Sequence, residues 1–205
     1  VPPAPPAVIE GTETLEEVTV QRLSAATVPP LRPDTPVRGP ANAPVLIQIW
    51  SDFECPACSE TVPLVAELER QFGTRIRVAW RAFPLPHHPH ARQAAAAALS
   101  VLHERGPEAF WKAHDALFEN AMLGLDLREI DAVVSSSGAN VDDYHRALAE
   151  RSFDHSIDTD MAAGDAIPIE GTPSFLVGRY YTFGIAPLSV YATLIERTVA
   201  EKNAR

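Results

Sequence analysis

The chain has 205 residues and a formal net charge of −10 at pH 7, with 46% hydrophobic and 21% charged residues, an ordinary globular balance that allows one sizeable core. That acidity argues against nucleic-acid or anionic-membrane binding, both of which draw on clustered Lys and Arg. No window approaches the roughly 18 uncharged apolar residues of a membrane span, and two cysteines cannot staple a disulfide-rich scaffold.

The chain opens Val1-Pro2-Pro3, with no Met, basic segment or apolar core, so no signal peptide is visible and a mature form is expected. Residues 1–44 hold about half of the 19 prolines, among them Pro29, Pro30, Pro33 and Pro36, and such a stretch resists helix. One island, Glu17-Val18-Thr19-Val20-Gln21-Arg22-Leu23, alternates and predicts an edge strand. The organisation expected is a Pro-rich arm or linker at 1–36, a domain at 37–200 and a tail at 201–205. The arm would lead from an export signal or a membrane anchor absent from the sequence.

Val45-Leu46-Ile47-Gln48-Ile49-Trp50 is a short apolar run without helical period and predicts a buried strand. Beyond it lie the only cysteines, in Ser51-Asp52-Phe53-Glu54-Cys55-Pro56-Ala57-Cys58. Val62, Val65, Leu68 and Phe72 then recur at helical spacing until Gly73. The alternating stretch 75–83 is a second strand, and strand, Cys-bearing helix, strand makes a βαβ unit with parallel strands.

Helical patterns follow over 90–104 (alanine-rich), from Pro107 through Phe118, over 127–134, 141–149 and 152–166. Strand chemistry returns at Ser174-Phe175-Leu176-Val177 and Arg179-Tyr180-Tyr181-Thr182-Phe183, around Gly178, as a hairpin. Pro187 starts a last amphipathic helix. His87, His88 and His90 cluster at a loop-to-helix junction, two of them flanking Pro89, and read as capping and packing residues. His114 reads as a core histidine.

A thiol at a helix start sits among unpaired N–H groups and the positive end of the helix dipole, which favours the reactive thiolate. A structural disulfide or two inert buried thiols are the bland alternatives. A CxxC can also supply two zinc ligands, but no second pair exists, and no metal is expected.

Cys55-Pro56-Ala57-Cys58 after a buried strand, with Gly171-Thr172-Pro173-Ser174-Phe175 opening a late hairpin, resembles the thioredoxin fold. The helical insertion at about 85–167 resembles the DsbA branch of thiol–disulfide oxidoreductases. Ser51-Asp52-Phe53-Glu54, Phe83-Pro84-Leu85 and Ala109-Phe110-Trp111 also match that branch. The resemblance implies an α/β thioredoxin-like fold with an inserted helical subdomain. It implies Cys55 as nucleophile, Cys58 as resolving thiol, and Thr172-Pro173 as a cis peptide whose backbone pairs with a substrate strand. Phe53 is a packing residue or a wall of the substrate groove, and Asp52 and Glu54 are candidate proton carriers.

The implied activity is disulfide exchange with exported protein substrates, by an extracytoplasmic, monomeric oxidant recharged by a membrane partner, needing no cofactor beyond the cysteine pair. A reductase or isomerase, or a redox-silent peptide-binding or chaperone module, are the alternatives. Two positions depart from the family pattern. Ala57 stands where strong oxidants carry His, which implies a less oxidising couple, and Ile49 stands where relatives have a buried acid.

Overall fold

The computed structural model describes residues 7–121 and 124–204. The N-terminal segment supplies strands β1 (Ile9–Leu15) and β2 (Val18–Leu23). They are followed by a two-residue β3 (Val37–Arg38), β4 (Val45–Ser51) and β5 (Ile76–Ala82). The late hairpin is β6 (Ser174–Val177) and β7 (Tyr180–Phe183). Together they form a seven-stranded sheet in the order β1-β2-β7-β6-β4-β5-β3.

The βαβ unit is present. β4 and β5 run parallel, in register from Val45 with Ile76 to Ser51 with Ala82. Helices α1 (Pro56–Ser59) and α2 (Thr61–Phe72) make the crossover. On its other side β4 pairs antiparallel with β6, Trp50 opposite Ser174.

Both faces of β4 are covered, which is why its sequence is nearly continuous in apolar residues. Val45, Ile47 and Ile49 share a core with Val65 and Leu68 of α2 and with Tyr191, Leu194 and Ile195. Those last three lie on α8 (Leu188–Asn203). Trp50 faces the opposite way, into a smaller cluster with Leu23, Ile167, Leu176 and Tyr181.

Between β5 and β6 lie α3 (Ala91–Arg105), α4 (Pro107–Ala121), α5 (Leu127–Ser136), α6 (Val141–Ala149) and α7 (Asp154–Asp165). Each helical stretch read from the sequence is a helix. Ala94 through Ala98 of α3 are all buried; their small side chains let α4, α5 and α6 approach closely.

The N-terminal segment departs from expectation. The island at 17–23 is a strand, but not an edge: β2 pairs with β7 on one side and with β1 on the other. Glu16 and Glu17 make the reversal, with φ of 47° and 68°. β1 is exposed along almost its whole length, so no apolar period announces it. Its ladder to β2 and ion pairs such as Arg179 Nη1 to Glu10 Oε2 at 2.9 Å hold it in place.

Residues 29–32 are fastened to the sheet by a buried polar network. Gln48 Nε2 donates to Pro29 O at 3.1 Å, and Arg81 Nε donates to Gln48 Oε1 at 2.7 Å. Arg81 also donates to Pro30 O and, through Nη1, to Asp160 Oδ1 at 2.7 Å. Arg32 pairs with the same carboxylate. Trp50 Nε1 donates to Asp160 O at 2.9 Å, and the Ala82 N–H to Asp160 Oδ2 at 3.2 Å. The Arg81 and Asp160 side chains are 0% exposed, and buried charges persist only when paired in this way.

Candidate active site

The site begins where β4 ends. Asp52 organises the turn that follows: its Oδ1 accepts the Glu54 N–H at 2.8 Å, and its carbonyl accepts the Cys55 N–H at 3.2 Å. Cys55 is then the N-cap of α1, with extended backbone (φ −78°, ψ 118°) and Pro56 in the first helical position, where a missing N–H costs nothing. Cys58 closes the turn, its N–H donating to Cys55 O at 3.0 Å. Thr61 Oγ1 donates to Cys58 O at 2.6 Å and ties α1 to α2.

The loop before β6 comes in from the other side. The Thr172–Pro173 peptide bond is cis. Cys55 Sγ donates to Thr172 O at 3.3 Å, across 117 residues of sequence. The Gly184 N–H holds Pro173 O at 2.8 Å, and Ser174 Oγ donates to Gly171 O at 2.7 Å. The Thr172 hydroxyl is buried beside Cys55, without a partner at ordinary hydrogen-bond geometry in the thiol form.

The two thiols differ sharply. Cys55 is 9% exposed and Cys58 0%, and both are free. A hydrogen bond from the Cys58 thiol, seconded by the Thr172 hydroxyl and the N–H groups of Cys58 and Ala57, lowers the Cys55 pKa to about 5 against the opposing effect of burial. Burial, reinforced by the neighbouring Cys55, pushes Cys58 far up. The pair is therefore one ready thiolate beside one protonated, enclosed thiol.

Asp52 and Glu54 do not stand free beside the sulfurs. Asp52 Oδ2 accepts the Leu85 N–H at 2.7 Å and lies 2.7 Å from His88 Nδ1. Glu54 Oε2 accepts the His90 N–H at 2.6 Å. In this geometry both carboxylates are anchors, clamping residues 85–90 against the CxxC turn. Of the histidines at that junction, His88 joins the clamp through Asp52, His90 is the N-cap residue of α3 without a side-chain capping bond, and His87 is exposed.

Phe53 is a correction. It is 1% exposed and packs on Trp80 (centroids 5.2 Å apart), Phe118 (4.8 Å) and His114 (5.6 Å). The turn held by Asp52 directs this ring inward, so it lines no groove. His114 is the core histidine expected, with Nδ1 2.8 Å from Asp115 Oδ1.

Sequence reasoning missed the Asp160–Arg81 network. Polar residues set within apolar strands, Gln48 and Arg81, were the available signal for the network. Among the described residues no group of three or more His, Cys, Asp and Glu is placed to hold a metal ion.

A mixed sheet with a CxxC at the start of a crossover helix, facing a cis X-Pro loop, defines the thioredoxin-like class of α/β proteins. The family model described as Thioredoxin matches residues 32–187, and the chain belongs to that family. The fold is shared with BdbD from Bacillus subtilis, at 21% identity and a TM-score of 0.68 over 82% of this chain and 94% of that one. It is also shared with the thiol-disulfide exchange protein alpha-DsbA2 from Wolbachia pipientis, at 20% identity and a TM-score of 0.69 over 80% and 86% of the two chains. A periplasmic thioredoxin-like protein from Salmonella enterica serovar Typhimurium gives a TM-score of 0.71 at 20% identity, over 85% and 95%.

Curated relatives carry a different name. Na(+)/H(+) antiporter NhaA 1 from Salinispora arenicola is 38% identical over 171 residues, which is 80% of this chain and 25% of that protein. NhaA 3 from Salinispora tropica is 38% identical over 152 residues, 72% and 22% of the two. The chain thus spans about a quarter of the length of these relatives. No helix among the described residues is long and apolar enough to cross a membrane.

Proposed function

We propose that the protein is a thiol–disulfide oxidoreductase that oxidises exported protein substrates in the manner of DsbA. The observation that carries this reading is the geometry of the pair: Cys55 caps α1 with its Sγ 3.3 Å from Thr172 O of the cis-Pro loop, and Cys58 lies wholly buried one turn below. In the oxidised protein, a substrate thiolate attacks Cys55 Sγ and Cys58 leaves as a thiolate. A second substrate thiolate then attacks the substrate sulfur of the mixed disulfide and expels Cys55 as a thiolate, so the substrate loses two electrons and the pair gains them.

Direction follows from the same thiolate. Its stability favours the reduced protein and makes the disulfide an oxidant. The donors that lower the Cys55 pKa support an oxidising couple, and Ala57 in place of His supports a milder one than the strongest oxidants. Thr172 and Pro173 would receive the substrate backbone beside the sulfur. Recharging by a membrane redox partner and an extracytoplasmic location complete the reading. Likeness in fold to the periplasmic protein from Salmonella supports the location. The antiporter activity in the relatives' names belongs to proteins of which this chain covers only about a quarter.

The test is refolding of a reduced, disulfide-dependent protein by the oxidised chain, with the potential read against glutathione. Turnover abolished by Cys55→Ala supports the oxidant. A potential near the reducing end of the family favours a reductase or isomerase. Refolding that persists in Cys55→Ala identifies a redox-silent chaperone.

A further inference from the structure

Disulfide exchange requires Cys58 to bear negative charge, yet Cys58 is wholly buried. On the sheet face that looks toward α1 and α2, β4 presents Ile49 and then Ser51, since alternate residues of a strand share a face. Ile49 offers no polar atom. Ser51 offers one: the residue is 1% exposed, and its hydroxyl has no hydrogen-bond partner within the protein by ordinary geometry. Cys58, wholly buried, shares the core on that same face with Ile49, and the Ser51 hydroxyl and the Asp52 N–H both favour its charged form. An unpaired buried hydroxyl is uncommon and calls for an explanation.

Building on the oxidoreductase reading above, we propose that Ser51 is the hydrogen-bond donor that steadies the Cys58 thiolate during exchange. The thiol form of Cys58 needs no such donor, whereas the thiolate accepts one strongly. Ser51 with the Asp52 N–H makes a two-donor cradle at the end of β4. It acts twice. When a thiolate attacks Cys55 of the disulfide, the cradle stabilises Cys58 as leaving group. When Cys58 attacks the Cys55 sulfur of a mixed disulfide, the sulfur–sulfur bond to the substrate breaks and the substrate leaves as a thiolate. The Cys58 proton passes to water or to that departing thiolate. Ser51 keeps its own proton throughout.

Reduced protein mixed with oxidised glutathione, acid-quenched at intervals and weighed by mass spectrometry, separates two steps. The first forms the Cys55–glutathione mixed disulfide; the second closes the Cys55–Cys58 disulfide. Ser51→Ala should leave the first step unchanged and slow the second roughly tenfold near neutral pH, by displacing its rate–pH curve upward about one unit. Ser51→Thr, which keeps the hydroxyl, should return the curve toward the wild type. Curves that superimpose for wild type and Ser51→Ala would overturn the proposal, as would a Thr variant behaving like Ala. If the wild type closes its disulfide in glutathione but oxidises no protein substrate, the proposed function fails while the Ser51 assignment stands.

Discussion

Asp52 and His88, 36 residues apart, meet at 2.7 Å between Oδ2 and Nδ1 at the edge of the cysteine turn. The same carboxylate receives the N–H groups of Glu54 and Leu85. One buried side chain thus fixes both the approach to Cys55 and the entry to the helical subdomain. Replacing it with Ala leaves two backbone donors unpaired. Asp52→Ala should cost about 2–3 kcal/mol and lower the melting temperature by several degrees, read by calorimetry.

Cys55 should titrate far below an ordinary thiol. The rate of its alkylation by iodoacetamide should rise through a midpoint near pH 5 and be flat by pH 7, because the thiolate is by then fully formed. A midpoint above pH 8 would show that the surrounding donors have no effect.

The same shift makes the stability of the reduced protein depend on pH. The folded pKa of Cys55 is lowered from 9.0 to about 5, so the unfolded chain binds more protons between those values. The stabilisation is present in full above pH 9, declines as pH falls, and is gone below about 5. Cys58 acts oppositely: its folded pKa is raised, so its contribution is intact below pH 9 and is lost above. Urea titrations of reduced wild type and Cys55→Ser should diverge as pH rises from 5 toward 9, with the wild type the more stable.

Phe53→Leu should disturb stability, not substrate recognition. The ring is enclosed by Trp80, His114 and Phe118, and its loss should cost roughly 1–3 kcal/mol. KM for a reduced protein substrate, measured well below the melting temperature, should stay at the wild-type value. A raised KM at unchanged stability would return Phe53 to the groove.

Asp160 pairs with both Arg81 and Arg32 where water does not reach, and Asp34 supplies Arg32 with a second carboxylate. Asp160→Ala should destabilise by about 3–5 kcal/mol, the usual cost of leaving a buried charge without its partner. Limited proteolysis near residues 29–35 should quicken along with the fall in melting temperature.

The legible parts of the molecule were those written in apolar periodicity. β4, β5, α2 and the alternating β6–β7 pair each bury a face, and the burial shows in the spacing of Val, Ile, Leu and aromatic residues. The cysteine site was legible because Cys55, Cys58 and Thr172-Pro173 are rare residue types in a specific order. What escaped was held by hydrogen bonds between distant polar groups. β1 buries almost nothing, and Gln48 and Arg81 find their partners 19 and 79 residues away. No local pattern encodes such pairings. The role of Ser51 escaped for a related reason: it depends on Cys58 lying beneath it, and a serine before an aspartate at a strand end looks like any turn.

The family resemblance starts at residue 32, just after the Pro29 and Pro30 carbonyls that receive Gln48 and Arg81. An excised domain beginning there would keep every atom of the cysteine site. It would also strip acceptors from a carboxamide and a guanidinium inside the sheet, and it would lose the strand that covers β7. The bared β7 edge would be a slot for foreign strands close to Pro173. Cutting the chain at its homology boundary would thus trade a closed sheet for a sticky one.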